Sequence, residues 1–129
     1  MSVFVTNYTV VKSNIDELNH VNNVVYLQWI QDIANLHWTV LKEGHDTSNI
    51  VWVVIRHEID YLGQALLGDT ITAKTWVGKT AGIKSVRHVE FYKNDKLIVK
   101  AQTTFCLLDA KTFKPSRITD KVLEMLAPK

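Results

Sequence analysis

Residues 16–26, DELNHVNNVVY, are the most informative part of this 129-residue chain. The segment opens with a carboxylate, Asp16, and reaches an imidazole, His20, four residues later. Asn22 is a favourable helix N-cap, and the apolar residues that follow predict a helix beginning at about Asn23. The segment therefore places a carboxylate and an imidazole directly before the amino end of a long helix.

The amino end of such a helix is a favourable place for an anion. Its first turn leaves backbone N–H groups without intrahelical acceptors, and the helix dipole adds partial positive charge. A carbonyl group placed there would be polarised, and an oxyanion forming on it would be stabilised. Asp16 could then act as a nucleophile or activate a water molecule. The competing interpretation is that Asp16 and His20 form an ordinary solvated or capping pair.

The hydrophobic pattern predicts one strand, one long helix, four further strands and a short closing helix. Residues 3–12 suit the first strand, and the long helix runs from about Asn23 to Lys42, with Gly44 at its end. Its apolar residues cover more than one stripe, so we expect this helix to be buried on most sides.

After residue 50 the hydrophobic period changes to two, which is typical of strands. Later strands fall near residues 71–77, 83–92 and 97–108, and Asn94-Asp95 suits a tight hairpin turn. Residues 119–126 predict the closing helix. The alternating residues of the first of these strands should share one face: Val51, Val53, Ile55, His57, Ile59 and Tyr61. Successive antiparallel strands around one helix indicate a single α+β domain covering residues 1–129.

The composition excludes several functional classes. The chain has 15 basic and 13 acidic residues, a net charge of +2 and no broad cationic surface, which argues against nucleic-acid binding. Cys106 is the only cysteine and lies in an apolar strand, so we expect it to be buried. No signal peptide or membrane-spanning run is evident, and we expect a cytoplasmic protein. The histidines lack metal-ligand spacing, and phosphate-loop and nucleophile-elbow motifs are missing, so we predict no metal and no cofactor.

His20-Val21-Asn22-Asn23, preceded by Asp16 and followed by Tyr26, resembles the signature of hotdog-fold thioesterases. The chain is similar to the 4-hydroxybenzoyl-CoA thioesterase-like group and to acyl-acyl-carrier-protein (acyl-ACP) thioesterases. This resemblance implies a curved antiparallel sheet wrapped around one helix. It also implies hydrolysis of an acyl-CoA or acyl-ACP to a free acid and a thiol, a role in fatty acid metabolism, and a homodimer or a tetramer of two dimers.

The same resemblance assigns roles to individual residues. Asp16 matches the catalytic carboxylate, and the backbone N–H of Asn23 matches the donor that polarises the thioester carbonyl. His20 matches the motif histidine, which helps to position or activate the reacting groups. Gln64 stands where the plant acyl-ACP enzymes have a Glu, and its amide could still orient water.

Two further residues of the segment depart from the family pattern. Asn19 replaces a frequent Gly, which puts the backbone of the turn in question. Leu18 stands where the plant enzymes have a functional Asn, so that Asp16 must carry more of the chemistry if these matches hold.

Substrate-binding residues are expected on the helix and on a later strand. The acyl tail would lie in a pocket beside the helix, lined by Tyr26, Trp29 and Ile30. The nucleotide phosphates of CoA would meet the basic residues of the 83–92 region, for which ordinary surface positions are an equally open interpretation: Lys79, Lys84 and Arg87.

Two other functions remain open from the sequence alone. Leu18 and Gln64 leave room for a non-catalytic module that binds acyl thioesters with the same fold. A hotdog dehydratase or hydratase is a weaker alternative, because those enzymes carry a different motif.

Overall fold

The computed structural model describes residues 2–127 and contains five strands and two α-helices in the predicted order. A single 3-10 turn, Lys12–Asn14, lies between the first strand and the first helix. The observed bounds lie within a few residues of those predicted: β1 Phe4–Thr9, α1 Asn23–Leu41, β2 Ile50–Tyr61, β3 Thr70–Ala81, β4 Lys84–Lys93, β5 Lys96–Asp109 and α2 Asp120–Leu126.

All five strands belong to one antiparallel sheet with the order β1-β3-β4-β5-β2. Strands β2 and β3 are consecutive in the chain but not neighbours in the sheet, so residues 62–69 connect an edge strand to an interior strand. The β4–β5 turn is the predicted one: Asn94 and Asp95 have φ angles of 50° and 64°. Positive φ at both central residues is what a two-residue hairpin turn requires.

One face of α1 packs on the sheet and forms the core. The buried residues of α1 follow helical spacing: Tyr26, Trp29, Ile30, Ile33, Ala34, His37 and Leu41. The expectation that α1 is buried on most sides is wrong for the single chain, since Val24, Leu36 and Val40 are 69%, 48% and 53% exposed. A single sheet covers only the side of a helix that faces it, so the remaining apolar residues stay open to solvent.

A β-bulge in β2 breaks the predicted alternation of that strand. The pairing with β5 skips a residue between Val54 and Arg56, so the side chains on either side of Ile55 change parity. Before the bulge Trp52 packs against the core, and after it Ile59 does. The prediction that Val51 to Tyr61 keep one parity is therefore wrong, because an extra residue cannot be seen in a purely apolar run.

Cys106 is buried, at 6% exposure, as predicted. Within residues 2–127, neither helix has the length and hydropathy needed to cross a bilayer.

Candidate active site

The residues before α1 form a tight loop held by its own backbone. An isolated β-bridge joins Ile15 to Val21 and closes the loop. Inside it, the Asp16 N–H donates to the His20 carbonyl (3.1 Å), and the Asn19 N–H donates to the Asp16 carbonyl (3.0 Å). These bonds place the carboxylate and the imidazole side by side.

The loop is also fixed to the rest of the domain. The Val21 N–H donates to the carbonyl of Ala65 (2.9 Å), in the connection between β2 and β3. The Asn22 N–H donates to the carbonyl of Asn14 (2.9 Å). Gln64 directly precedes Ala65 and is exposed, so the structure brings its segment of the chain against the motif.

Asn19 has a backbone conformation that a Gly would adopt without strain. Its φ is 64°, in the left-handed region that Gly adopts freely and that Asn tolerates better than most residues. Both Gly and Asn can form this turn, so the replacement of Gly by Asn requires no change of the backbone. Leu18 lies at the tip of the same turn and is 67% exposed.

The Asp16 and His20 side chains approach each other without forming a hydrogen bond. Asp16 Oδ1 lies 3.9 Å from His20 Nδ1, and the two side chains are 25% and 26% exposed. Oδ1 also accepts a bond from the Leu18 N–H (2.9 Å), which orients the carboxylate. Among residues 2–127, neither Asp16 Oδ2 nor His20 Nδ1 has a hydrogen-bond partner. One carboxylate oxygen thus stays available for chemistry.

Helix α1 begins with one unused backbone donor. Asn22 is the N-cap, as predicted, and its Oδ1 accepts from the Val24 N–H (3.0 Å). The Val25 N–H donates to the Asn22 carbonyl (2.9 Å). The Asn23 N–H has no acceptor in the part of the chain that the structure describes. This group therefore remains free to bind a carbonyl oxygen.

Comparison with known proteins identifies the family. The model of the acyl-ACP thioesterase N-terminal domain matches residues 1–126. The chain belongs to the acyl-ACP thioesterase family. It is 26% identical over 122 residues to the long-chain acyl-CoA thioesterase FadM of Escherichia coli, covering 88% of this chain and 89% of FadM.

Two further comparisons concern a longer enzyme and the fold. The chain is 24% identical over 82 residues to the chloroplastic acyl-ACP hydrolase FATB3 of Cuphea viscosissima, covering 62% of this chain but only 20% of FATB3. A predicted thioesterase from Bacillus stearothermophilus has the same fold, with a TM-score of 0.85 at 21% identity over 97% of this chain and 94% of that one. The predicted fold class, an α+β hotdog fold, is thus confirmed.

In the present structure, the residues predicted to line an acyl pocket instead lie in the core of the domain. Tyr26, Trp29 and Ile30 are 1%, 7% and 1% exposed. Trp29 stacks on Tyr8 with ring centroids 4.9 Å apart, and Tyr26 lies 5.9 Å from Phe91. The structure therefore does not place these three side chains around a cavity in the single chain, because their helical spacing points them at the sheet.

A cavity of about 190 Å³ lies further along α1. It was not predictable from the sequence, because its walls come from α1, four strands and α2, which are distant in the chain. Its principal lining residues are Ala34, Trp38, Trp52, Val77, Arg87 and Phe105.

Arg87 belongs to this cavity and not to the protein surface. It is 6% exposed, whereas Lys79 and Lys84 are exposed. Its Nη1 donates to His37 Nδ1 (2.7 Å) and to Thr75 Oγ1 (3.1 Å). The predicted contact of Arg87 with nucleotide phosphates outside the domain does not fit this position. The alternation of buried and exposed residues along β4 could have indicated that Arg87 is buried, since Arg87 shares the parity of the buried Ser85 and Val89.

The His37–Arg87 pair makes a prediction about acid stability. Burial, together with the nearby Arg87 cation, lowers the pKa of His37 from 6.5 to about 4. Between these two values the unfolded chain binds a proton at His37 that the folded chain does not, so stability falls as the pH falls. We expect this group to remove about 2–3 kcal/mol of stability between pH 7 and pH 4.5.

Urea unfolding of wild type and His37→Gln at the two pH values measures this effect. The Gln amide oxygen can still accept from Arg87 but does not titrate, so the variant should lose less stability in acid. The exposed His45, changed to Gln, is the control and should behave as wild type. Equal acid sensitivity of wild type and His37→Gln would contradict the expectation that His37 causes this loss of stability.

Proposed function

We propose that this chain hydrolyses an acyl thioester, releasing a carboxylic acid and a thiol, at the amino end of α1. The observation that carries the proposal is the pairing of a partly exposed carboxylate, Asp16, with the unused backbone donor of Asn23. Membership of the acyl-ACP thioesterase family supports it. The names of FadM and FATB3 support acyl-CoA and acyl-ACP, respectively, as the two substrate classes to test.

The reaction needs polarisation of the carbonyl and attack on its carbon. The thioester oxygen would accept a hydrogen bond from the Asn23 N–H. This bond strengthens as negative charge develops on that oxygen. Asp16 would either attack the carbon, displacing the thiolate to give an anhydride that water cleaves, or accept a proton from the attacking water. In both cases the thiolate leaves and is then protonated to the thiol. His20 would help to position these groups, and Gln64 could orient the water.

A substrate panel tests the proposed function. Short-chain, long-chain and aromatic acyl-CoAs, together with acyl-ACPs, are incubated with the protein, and free thiol release is followed. We expect turnover of at least one class. Binding without thiol release across the whole panel would contradict hydrolysis and favour the non-catalytic binding module.

We also propose that the working unit is at least a homodimer. Strand β2 is twelve residues long and has only one neighbour in the sheet, and the Val54 and Ile55 side chains on it are 40% and 50% exposed. An open apolar edge of this kind is usually covered by another chain. Sedimentation equilibrium separates the cases: a dimer, or a tetramer of two dimers, supports the proposal, and a monomer at micromolar concentration contradicts it.

Two finer assignments belong to the same proposal. Lys79 and Lys84 are exposed and would meet the phosphates of CoA. A cytoplasmic protein acting in fatty acid metabolism is the proposed setting, and a single buried cysteine, Cys106, suits a reducing compartment.

A further inference from the structure

The cavity beside the carboxyl-terminal half of α1 has apolar walls and one charged group. Two tryptophans and a phenylalanine form the walls: the Trp38 and Trp52 ring centroids are 6.1 Å apart, and those of Trp52 and Phe105 are 6.4 Å apart. The charged group is the guanidinium of Arg87. Asn35 and Ser85 add two uncharged polar side chains. A concave, mostly apolar site with a few polar groups is the usual form of a small-molecule site.

The guanidinium of Arg87 is only partly satisfied inside the protein. Nη1 makes both of its bonds, to His37 and Thr75, while Nε and Nη2 make none with any residue from 2 to 127. Over the same range, no carboxylate oxygen lies within 4.0 Å of the guanidinium. His37 does not supply negative charge, because it is neutral or positive in all its protonation states. Arg87 is therefore a buried cation without an anion.

A buried charge of this kind is costly unless an anion compensates it. Arginine is also the side chain best shaped to bind a carboxylate, since two parallel N–H groups meet its two oxygens. The unused Nε and Nη2 are such a pair of neighbouring donors. The chemistry of the site thus calls for a planar anion carrying an apolar group.

We propose that this cavity binds a small carboxylic acid, with the carboxylate on Arg87 and the apolar part between Trp38, Trp52 and Phe105. Its volume of about 190 Å³ limits the ligand. A cavity of ~150 Å³ holds benzene, so an acid of about nine heavy atoms, such as benzoate, is the right size. Aryl and medium-chain carboxylates are the classes expected to bind.

Within one chain, the cavity lies apart from the groups proposed to hydrolyse the thioester. Ala34 and Trp38 follow Asn23 by 11 and 15 positions on α1, which corresponds to roughly 16–23 Å along a helix. A small acid on Arg87 therefore leaves Asp16 and the Asn23 N–H of the same chain uncovered. The proposal does not rest on the proposed function, since the binding of an acid is measured without any turnover.

Nuclear magnetic resonance titration of the full chain with benzoate tests the proposal. We expect saturable binding that shifts the indole N–H signals of Trp38 and Trp52 more than those of Trp29 and Trp76, which do not line the cavity. Benzamide, a neutral ligand of the same shape, should bind at least ~10-fold more weakly, because the guanidinium favours the charged form. No saturable benzoate binding, equal binding of the two ligands, or shifts confined to Trp29 or Trp76 would overturn it.

Two variants extend the test. Arg87→Gln should weaken benzoate binding at least ~10-fold while leaving benzamide binding nearly unchanged.

Because Arg87 is buried and this variant could fail to fold, Asn35→Trp provides a second variant. Asn35 is exposed and lines the cavity. A tryptophan there should obstruct the cavity and abolish benzoate binding without lowering Tm or thioester turnover. Wild-type benzoate affinity in a folded form of either variant would contradict the proposal.

Discussion

Asp16→Asn is expected to lose about 10²–10⁴-fold in kcat for thioester hydrolysis, the usual contribution of a positioned acid–base group. The amide can neither attack the carbonyl carbon nor accept a proton from water at neutral pH. Its side-chain oxygen can still accept from the Leu18 N–H, the bond that orients Asp16. We therefore expect the loop and the Tm to be preserved. Free thiol release on the best substrate of the panel, with thermal unfolding, measures both quantities.

Glu17→Gln is the matched control for Asp16→Asn. Glu17 is the next residue, is exposed and makes no hydrogen bond or ion pair with its side chain in the described part of the chain. Its neutralisation changes the local charge by the same amount. Because Glu17 has no role in the proposed reaction, kcat should stay close to that of wild type. A near-normal kcat for Asp16→Asn, or equal losses in both variants, would remove Asp16 from the mechanism.

Features encoded within a few neighbouring residues were predictable from the sequence. The N-cap Asn22 lies next to the helix that it caps, and Asn94-Asp95 supplies both positive φ angles of its turn. The order of strands and helices follows from changes in hydrophobic period. The placement of Asp16 and the Asn23 N–H at the start of α1 also depends on neighbouring residues only, and the structure places them there.

Features that depend on distant parts of the chain were not predictable in this way. The bulge in β2 depends on how that strand pairs with β5, some fifty residues later. The cluster of His37, Thr75 and Arg87 joins α1, β3 and β4, and alternation alone cannot say that an arginine on a buried face finds a histidine. The burial of Trp29 under Tyr8 likewise needs β1 and α1 together.

Asn23→Pro is expected to lose about 10²–10³-fold in kcat, the usual effect of removing one oxyanion donor. Proline lacks the backbone N–H, and position N1, which Asn23 occupies, is where a helix accepts proline best. The preceding residue, Asn22, has φ −64° and ψ 136°, a conformation that tolerates a following proline. Because the Asn23 N–H has no acceptor within residues 2–127, the substitution breaks no internal bond.

The ratio of kcat between Asn23→Ala and Asn23→Pro tests most directly whether the helix end polarises the thioester. Both variants lose the exposed Asn23 side chain, and only the proline also loses the backbone donor. We predict a ratio of about 10²–10³ in favour of alanine, with similar Tm values and near wild-type kcat for the alanine variant. Equal kcat values in two folded variants would contradict catalysis at the amino end of α1.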